Sequence, residues 1–313
     1  MAERRTEPNH LYGPVPSRRL GYSLGVDILP FKTCSLDCVY CQLGSSPKTT
    51  VRRAEFVPAR AVIAQIRKAV ASGRTIDAIT FSGSGEPTLN SGIGAIIRGI
   101  KRFTRIPVVV LTNGSCLVRP GVRRDLRQAD IVVPSLDAAD EAVFRKINRP
   151  HAGLTAAGIV AGLAAFRREF AGRIWLEIML VRGVNAGPGH LKKLKAAAAL
   201  IRPDRIQLNT VVRPPAERSA RPLGPGEMEK IRKFFGESAE IIVDFAAAAR
   251  SAPAGDDEAA VLAVVGRRPV TAGDLALSLG RPKGGIEGLL RSLSSAGKIR
   301  SVVHRKEVYW EKA

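Results

Sequence analysis

The sequence predicts an α/β fold: a partial barrel of six βα units, followed by a small module of three helices and a two-stranded wing. From about residue 20 to 245, short β-branched runs alternate with helical patterns. Six such pairs precede a short seventh run, too few for an eight-fold barrel. After residue 245 a small-residue stretch, AAAARSAPAG, interrupts the rhythm, and the composition changes beyond it. The expected division is 1–245 for the barrel, 246–255 for a linker and 256–313 for the module.

Strands are expected at 23–29, 76–81, 107–111, 130–135, 173–181, 205–211 and 240–245. Helices are expected at 58–72, 88–103, 118–128, 154–170, 188–201 and 225–235. In the first helix Val62, Ile63, Ile66 and Val70 recur at helical spacing. Pro58, Pro188 and Pro225 stand at helix starts, where a missing N–H costs little. Strands alternating with helices imply a parallel sheet with right-handed crossovers. Such a barrel holds its site at the C-terminal strand ends. The alternative, an open doubly wound sheet, binds ligands at the same ends. Beyond the linker, 256–267, 271–279 and 283–296 read as helices. Residues 298–310 read as a hairpin, with His304, Arg305 and Lys306 near its tip. Three helices and a two-stranded wing resemble a winged helix-turn-helix.

The chain has 313 residues, 45% of them apolar, enough for a sizeable core. Its formal charge of +21 favours an anionic partner, and nucleic acid is the commonest large one. Little of that charge lies in the C-terminal module, whose third helix offers only Lys283 and Arg291 with Glu287 between them. The larger domain is therefore the expected electrostatic platform, with Arg18, Arg19, Arg52 and Arg53 flanking a cysteine-bearing loop. No apolar run reaches the roughly 20 residues of a membrane span, and the first residues are polar. A cytoplasmic location and no membrane partner are expected.

Three of the four cysteines, Cys34, Cys38 and Cys41, crowd into one loop after the first expected strand. That spacing suits a metal better than disulfides. Three thiolates on one short loop can wrap a compact soft-metal centre, and three ligands on a cubane leave one iron open. A zinc site completed by Cys116 or a histidine is the alternative, although zinc usually pairs its cysteines from separate loops. The next expected strand runs into Phe81-Ser82-Gly83-Ser84-Gly85-Glu86-Pro87-Thr88. Its glycines permit close approach of a ligand to the backbone. A dinucleotide-binding G-x-G-x-x-G is the rival reading, but Thr88 stands where the third glycine belongs.

The C-x3-C-x2-C spacing, with Tyr40 just before the last cysteine, resembles the radical SAM superfamily. The resemblance implies a [4Fe–4S] cluster on Cys34, Cys38 and Cys41 whose open iron chelates S-adenosylmethionine. An electron from the cluster, delivered by a donor such as flavodoxin or ferredoxin, would then release a 5′-deoxyadenosyl radical. Gly83, Gly85, Glu86 and Pro87 resemble the superfamily's G-G-E-P element, with the first glycine displaced by one position. Glu86 is then expected to accept from the methionyl ammonium. Asn113, Ser135 and Asp137, at further strand ends, are expected site residues, with Ser135 or Asp137 at the ribose. Glu177, Gln207 and Asn209 are weaker candidates on the following strands.

A narrower resemblance rests on Gly13-Pro14-Val15-Pro16-Ser17-Arg18-Arg19-Leu20, Leu111-Thr112-Asn113-Gly114, Ser135-Leu136-Asp137-Ala138, Ile147-Asn148-Arg149-Pro150 and Gln207-Leu208-Asn209-Thr210. Over roughly residues 12–245 this set looks like bacterial relatives of the tRNA wybutosine-pathway radical SAM synthases. It implies modification of a tRNA base. Those synthases carry a second cluster on upstream cysteines, whereas here no cysteine precedes Cys34 and Cys116 reads as a packed thiol. Their pyruvate condensation is therefore not carried over, and neither Lys32 nor Lys48 is assigned as a Schiff-base lysine. Two other readings are a radical SAM enzyme acting on a protein and a non-enzymatic iron–sulfur sensor with a DNA-binding winged helix. The Gly-Glu-Pro element argues against the sensor, which needs no cofactor pocket.

Overall fold

In the computed structural model, which describes residues 8–17, 19–45, 48–242 and 257–313, eight strands form one sheet in the order of the chain. They are β1 (Leu11–Ser17), β2 (Gly21–Val26), β3 (Ala78–Phe81), β4 (Val108–Thr112), β5 (Ile131–Pro134), β6 (Arg173–Leu180), β7 (Arg205–Thr210) and β8 (Ala239–Ile241). β1 and β2 form an antiparallel hairpin, and every pairing from β2 to β8 is parallel. Parallel neighbours need crossovers. These carry α1 (Ala59–Ala71), α2 (Ile93–Lys101), α3 (Pro120–Leu126), α4 (Glu141–Asn148), α5 (Ala156–Glu169), α6 (Pro188–Ile201) and α7 (Pro225–Phe235). The α/β rhythm of six βα units is present, and the last expected strand, 240–245, continues outside the described residues.

The structure adds two elements to this part. β1 was hidden by its composition: LYGPVPS breaks apolar alternation with two prolines and a glycine. Proline is tolerated on an edge strand, and β1 is the edge, with an irregular register between Tyr12 and Val15. α4 is a short extra helix before α5. Asp140 starts it by accepting from Val143 N at 2.9 Å, and it buries Phe144 and Ile147. The expected helices 88–103 and 118–128 are shortened, because 3-10 turns at Pro87–Leu89 and Ser115–Val118 precede α2 and α3.

Alternation along the strands divides the core. Val108, Val110, Val132, Ile174, Leu176 and Ile178 pack in the main cluster with the helices. Val109, Ile131, Val133 and Trp175 form a separate cluster with Leu20 and Leu111. Both faces are apolar at this level, as parallel strands buried on two sides require. Polar groups then take over: Ser23, Thr80, Glu177 and Asn209, from β2, β3, β6 and β7, line one cavity of about 370 Å³. Strands this far apart in order meet one cavity because the sheet curls around it.

The C-terminal segment comprises α8 (Asp257–Val265), β9 (Val270–Thr271), α9 (Ala272–Leu279), α10 (Lys283–Ser295), β10 (Ile299–His304) and β11 (Glu307–Lys312). The expected hairpin is present, and β9 adds a third strand beside β11. Thr271 and Asp274 form a capping box at the start of α9. Val261, Val264, Leu275, Ile286, Leu290 and Leu293 build a small core that also takes in Tyr12 and Val15 of β1. The segment thereby covers the edge of the large sheet, which would otherwise offer unpaired backbone. The expected linker 246–255 lies outside the described residues. Among the described residues no helix is long and apolar enough to cross a membrane.

Phe166 of α5 is fully buried and stacks on Phe170 with ring centroids 4.6 Å apart. Phe166→Ala is expected to cost about 3–5 kcal/mol of stability, read as a lower midpoint in denaturant unfolding.

Candidate active site

The loop after β2 carries the three cysteines and is held from both sides by backbone bonds. On one side Thr33 bridges Gly85, and Glu86 N donates to Thr33 O at 3.0 Å. On the other, Val39 N donates to Ile147 O at 2.9 Å, Asp37 N to Asn148 O at 2.9 Å, and Leu36 bridges Pro150. The loop thus spans from the end of β3 to the end of α4. The string Ile147-Asn148-Arg149-Pro150 is its seat.

Cys34, Cys38 and Cys41 are partly exposed free thiols that line the barrel cavity. Each has a side-chain N–H donor at its sulfur. Asn113 Nδ2 lies 3.5 Å from Cys34 Sγ, Asn148 Nδ2 3.3 Å from Cys38 Sγ, and Lys32 Nζ 3.4 Å from Cys41 Sγ. Donors of this kind stabilise thiolate sulfur and help set the potential of a cluster. Burial, reinforced by the Glu86 charge, pushes the Cys34 thiol up to about 12. Burial also raises Cys38 well above the ordinary thiol range, with Asp137 the next cause. Positive charge from bound iron is what such thiols need in order to ionise. Among the described residues no three His, Cys, Asp or Glu side chains converge on a single ion. The three thiols line one cavity and lie near enough to act on one another electrostatically, and a cubane carries its thiolates on separate irons. The donor set fits a [4Fe–4S] cluster. Cys116 does not line the cavity; it is buried on the turn after β4, 3.9 Å from Ser115 Oγ.

Gly83 and Gly85 line the same cavity, and both positions require glycine. Gly83 has φ +133°, and a β-carbon there would meet Asp27 Cγ at 2.6 Å. A β-carbon on Gly85 would stand 1.9 Å from Thr33 O. Glu86 lies deeper. One oxygen accepts from Thr88 N at 3.0 Å, from the Thr88 hydroxyl and from Thr112 Oγ1 at 2.7 Å; the other accepts from Asn113 N at 2.6 Å. Glu86 therefore ties the loops after β3 and β4 together. Burial raises its pKa despite those donors. Pro87, also buried, begins the 3-10 turn behind it.

Asp137 stands behind the cysteine loop. It accepts from the Tyr40 hydroxyl, from Asn148 Nδ2 at 2.8 Å and from Met179 N at 2.9 Å. Asp137 thus holds Tyr40, which lines the cavity, and Asn148, which reaches Cys38. Ser135 bridges Glu177 through backbone and, with Asn113, lines a smaller recess beside Leu36. Glu177 pairs with Arg19, which also donates to Gln207 Oε1 at 3.0 Å, so an ion pair forms part of the cavity wall.

Two arginines expected on an outer platform are engaged within the fold. Arg19 makes the contacts just described, and Arg53 donates to Thr88 O at 2.8 Å and pairs with Asp125 at 2.7 Å. Arg52 is exposed, and Arg18 lies outside the described residues. The sequence reading did not single out Asn148, Asp27 or Arg267 as site groups. Asn148 lies in the Ile147-Asn148-Arg149-Pro150 string and Asp27 within the first expected strand; Arg267 is far away in sequence, and its place depends on how the C-terminal segment docks.

A parallel α/β sheet with three cavity-facing thiols on its first βα loop and a glycine loop on the next defines a radical S-adenosylmethionine enzyme. The chain belongs to the radical SAM superfamily, whose model matches residues 28–194. Within it, the chain groups with the UPF0026 proteins: that of Methanocaldococcus jannaschii is 35% identical over 228 residues, 72% of this chain and 71% of that one. A GTPase Obg of Brachyspira hyodysenteriae is 36% identical over 302 residues, 96% of this chain but 44% of that protein. The chain thus spans less than half of that relative. The GTPase name stays with that relative. A probable dual-specificity RNA methyltransferase RlmN of Opitutus terrae is 26% identical over 218 residues, 65% of this chain and 58% of that one. Among solved structures, a radical SAM methyltransferase from Sphaerobacter thermophilus shares the fold, with TM-score 0.51 and 20% identity over 70% of this chain and 66% of that one.

Two predictions follow from these contacts. Gly85→Ala forces the glycine loop off Thr33, so S-adenosylmethionine binding by equilibrium dialysis should be lost and the melting temperature lowered. Gly226→Ala, in open space on α7, should leave both unchanged. The second concerns Asp137, whose carboxyl burial raises from 3.8 to about 6. The native state keeps a proton that the unfolded chain has released. This group's contribution to stability therefore falls as pH rises from about 4 to about 6 and is constant above that, by about 3 kcal/mol at most. Asp137→Asn should remove that slope from the pH dependence of denaturant midpoints measured on metal-free protein.

Proposed function

We propose that this radical SAM enzyme acts on RNA, with a tRNA base as its target, as the resemblance to the wybutosine-pathway synthases implies. Three cavity-lining thiols, each with its own N–H donor and facing two cavity-lining glycines, carry the enzymatic reading. The RNA assignment draws on the net charge of +21 and on the likeness to an RNA methyltransferase. A [4Fe–4S] cluster and S-adenosylmethionine supply radical chemistry when bound.

The chain's own residues hold and shield that chemistry. Cys34, Cys38 and Cys41 are the cluster ligands, and Asn113, Asn148 and Lys32 orient their sulfurs. Gly83 and Gly85 leave backbone open to the cofactor's methionyl end. Tyr40, fixed by Asp137, forms part of the wall beside the cysteines. Arg19 and Glu177, paired in the cavity wall with Gln207 bonded to Arg19, help keep bulk water from a reactive intermediate. Basic side chains at the mouth, Arg213 among them, neutralise phosphates of the RNA. The C-terminal segment is read as a winged helix-turn-helix, and a flavodoxin or ferredoxin as the electron donor.

The test is 5′-deoxyadenosine formation by anaerobically reconstituted, reduced protein, with and without total cellular RNA. Strong stimulation by RNA is the expected result. Formation indifferent to RNA would move the substrate to a protein or small molecule, and no cleavage despite an intact cluster would sink the enzymatic reading. Cys38→Ala should abolish both bound iron and 5′-deoxyadenosine.

A further inference from the structure

The C-terminal segment does more than cover an edge. Arg267, just beyond α8, reaches back to the barrel and lines the cavity that holds the cysteines. Its guanidinium is committed on three sides. Nε donates to Asp27 Oδ2 at 3.0 Å, one terminal nitrogen to Ala263 O at 2.8 Å, and the other to Asn9 O at 3.0 Å. Its plane lies over the Tyr12 ring, 5.1 Å from the centroid. The side chain is 16% exposed and its carboxylate partner 6%, so water screens the pair little.

Asp27 is the group on which the glycine loop rests. It accepts from Ser84 N at 3.2 Å and Ser84 Oγ at 2.5 Å, and its side chain fills the space beside Gly83 that a β-carbon would need. Tyr12, the ring under Arg267, bonds Ser82 Oγ through its hydroxyl at 2.6 Å. Ser82, Gly83 and Ser84 are thus held by two residues, Tyr12 and Asp27, and Arg267 contacts both. Without the guanidinium, Asp27 would be a buried carboxylate that has lost the cation bonded to it, a costly state that rearrangement or protonation relieves.

We propose that Arg267 is a positioning residue for S-adenosylmethionine: through Asp27 and Tyr12 it fixes the glycine loop, so the C-terminal segment is a working part of the cofactor site. This rests on the radical SAM reading of the cavity. The cysteine loop has anchors that the pair does not touch, Val39 and Asp37 on the end of α4, so cluster assembly does not depend on the pair alone.

The test uses the full chain, reconstituted anaerobically, with iron content and the dissociation constant for S-adenosylmethionine read separately. Arg267→Gln should weaken cofactor binding about tenfold, the scale of one charge-assisted hydrogen bond, while iron content stays at the wild-type level. Asp27→Asn should weaken it similarly, and the double variant no further than the worse single one, because both act through one pair. Arg267→Lys keeps a cation opposite Asp27 and should recover most of the affinity. Unchanged affinity in Arg267→Gln, or losses that add in the double variant, would overturn the proposal. Should Arg267→Gln fail to fold, Asp27→Asn and Arg267→Lys carry the same comparison. Wild-type protein that holds iron but binds no S-adenosylmethionine would overturn the reading of the site itself.

Discussion

Thr33 and Gly85 meet backbone to backbone where two strand-end loops cross, with no room for a β-carbon between them. The cysteine loop can stand over the end of β3 only because this contact is so close. The curled sheet brings the ends of β2, β3 and β4 together, and the Glu86 carboxylate then locks the loops after β3 and β4 by accepting from both. Asp137 does the equivalent work on the far side, behind Tyr40 and Asn148. Two buried carboxylates, each saturated by donors, thus fix the cysteine loop from either flank. A buried acid of this kind is tolerable because its oxygens are satisfied, and the same satisfaction makes the geometry rigid.

Much of this was legible in the sequence, because the signals were local. The alternation of β-branched runs with helical spacing located seven of the eight strands of the large sheet. The cysteine spacing and the Gly-Ser-Gly-Glu-Pro string marked the two loops that face the cavity. β1 was missed because prolines and glycine erase the period-two pattern that marks a strand. α4 was missed because eight residues give too few turns for a periodic signal. Residue roles were harder to read than residue positions. Glu86 and Asp137 are at the site, but a sequence does not say whether a carboxylate faces the cavity or the loops behind it. Here the donors around each one decide: backbone N–H groups and side chains from neighbouring loops fill their lone pairs.

Charge illustrates the same limit. A large positive balance was evident at once, but not which cations are available to a partner. Arg19 and Arg53, which flank the cysteine loop in sequence, are tied to Glu177 and Asp125 within the fold. Arg267, absent from any local motif, is inside the cavity wall. Composition reports a sum, whereas the electrostatics at a mouth depend on which charges the fold has already paired.

The Asp27–Arg267 ion pair joins positions 240 residues apart. A ribosome makes a chain from its N-terminus at a finite pace. The cysteines and the glycine loop are therefore in existence well before the arginine that completes their wall. Until Arg267 is made, the Asp27 carboxylate lacks the guanidinium that pairs with it in the finished fold, and the part of the cavity wall that Arg267 supplies is missing.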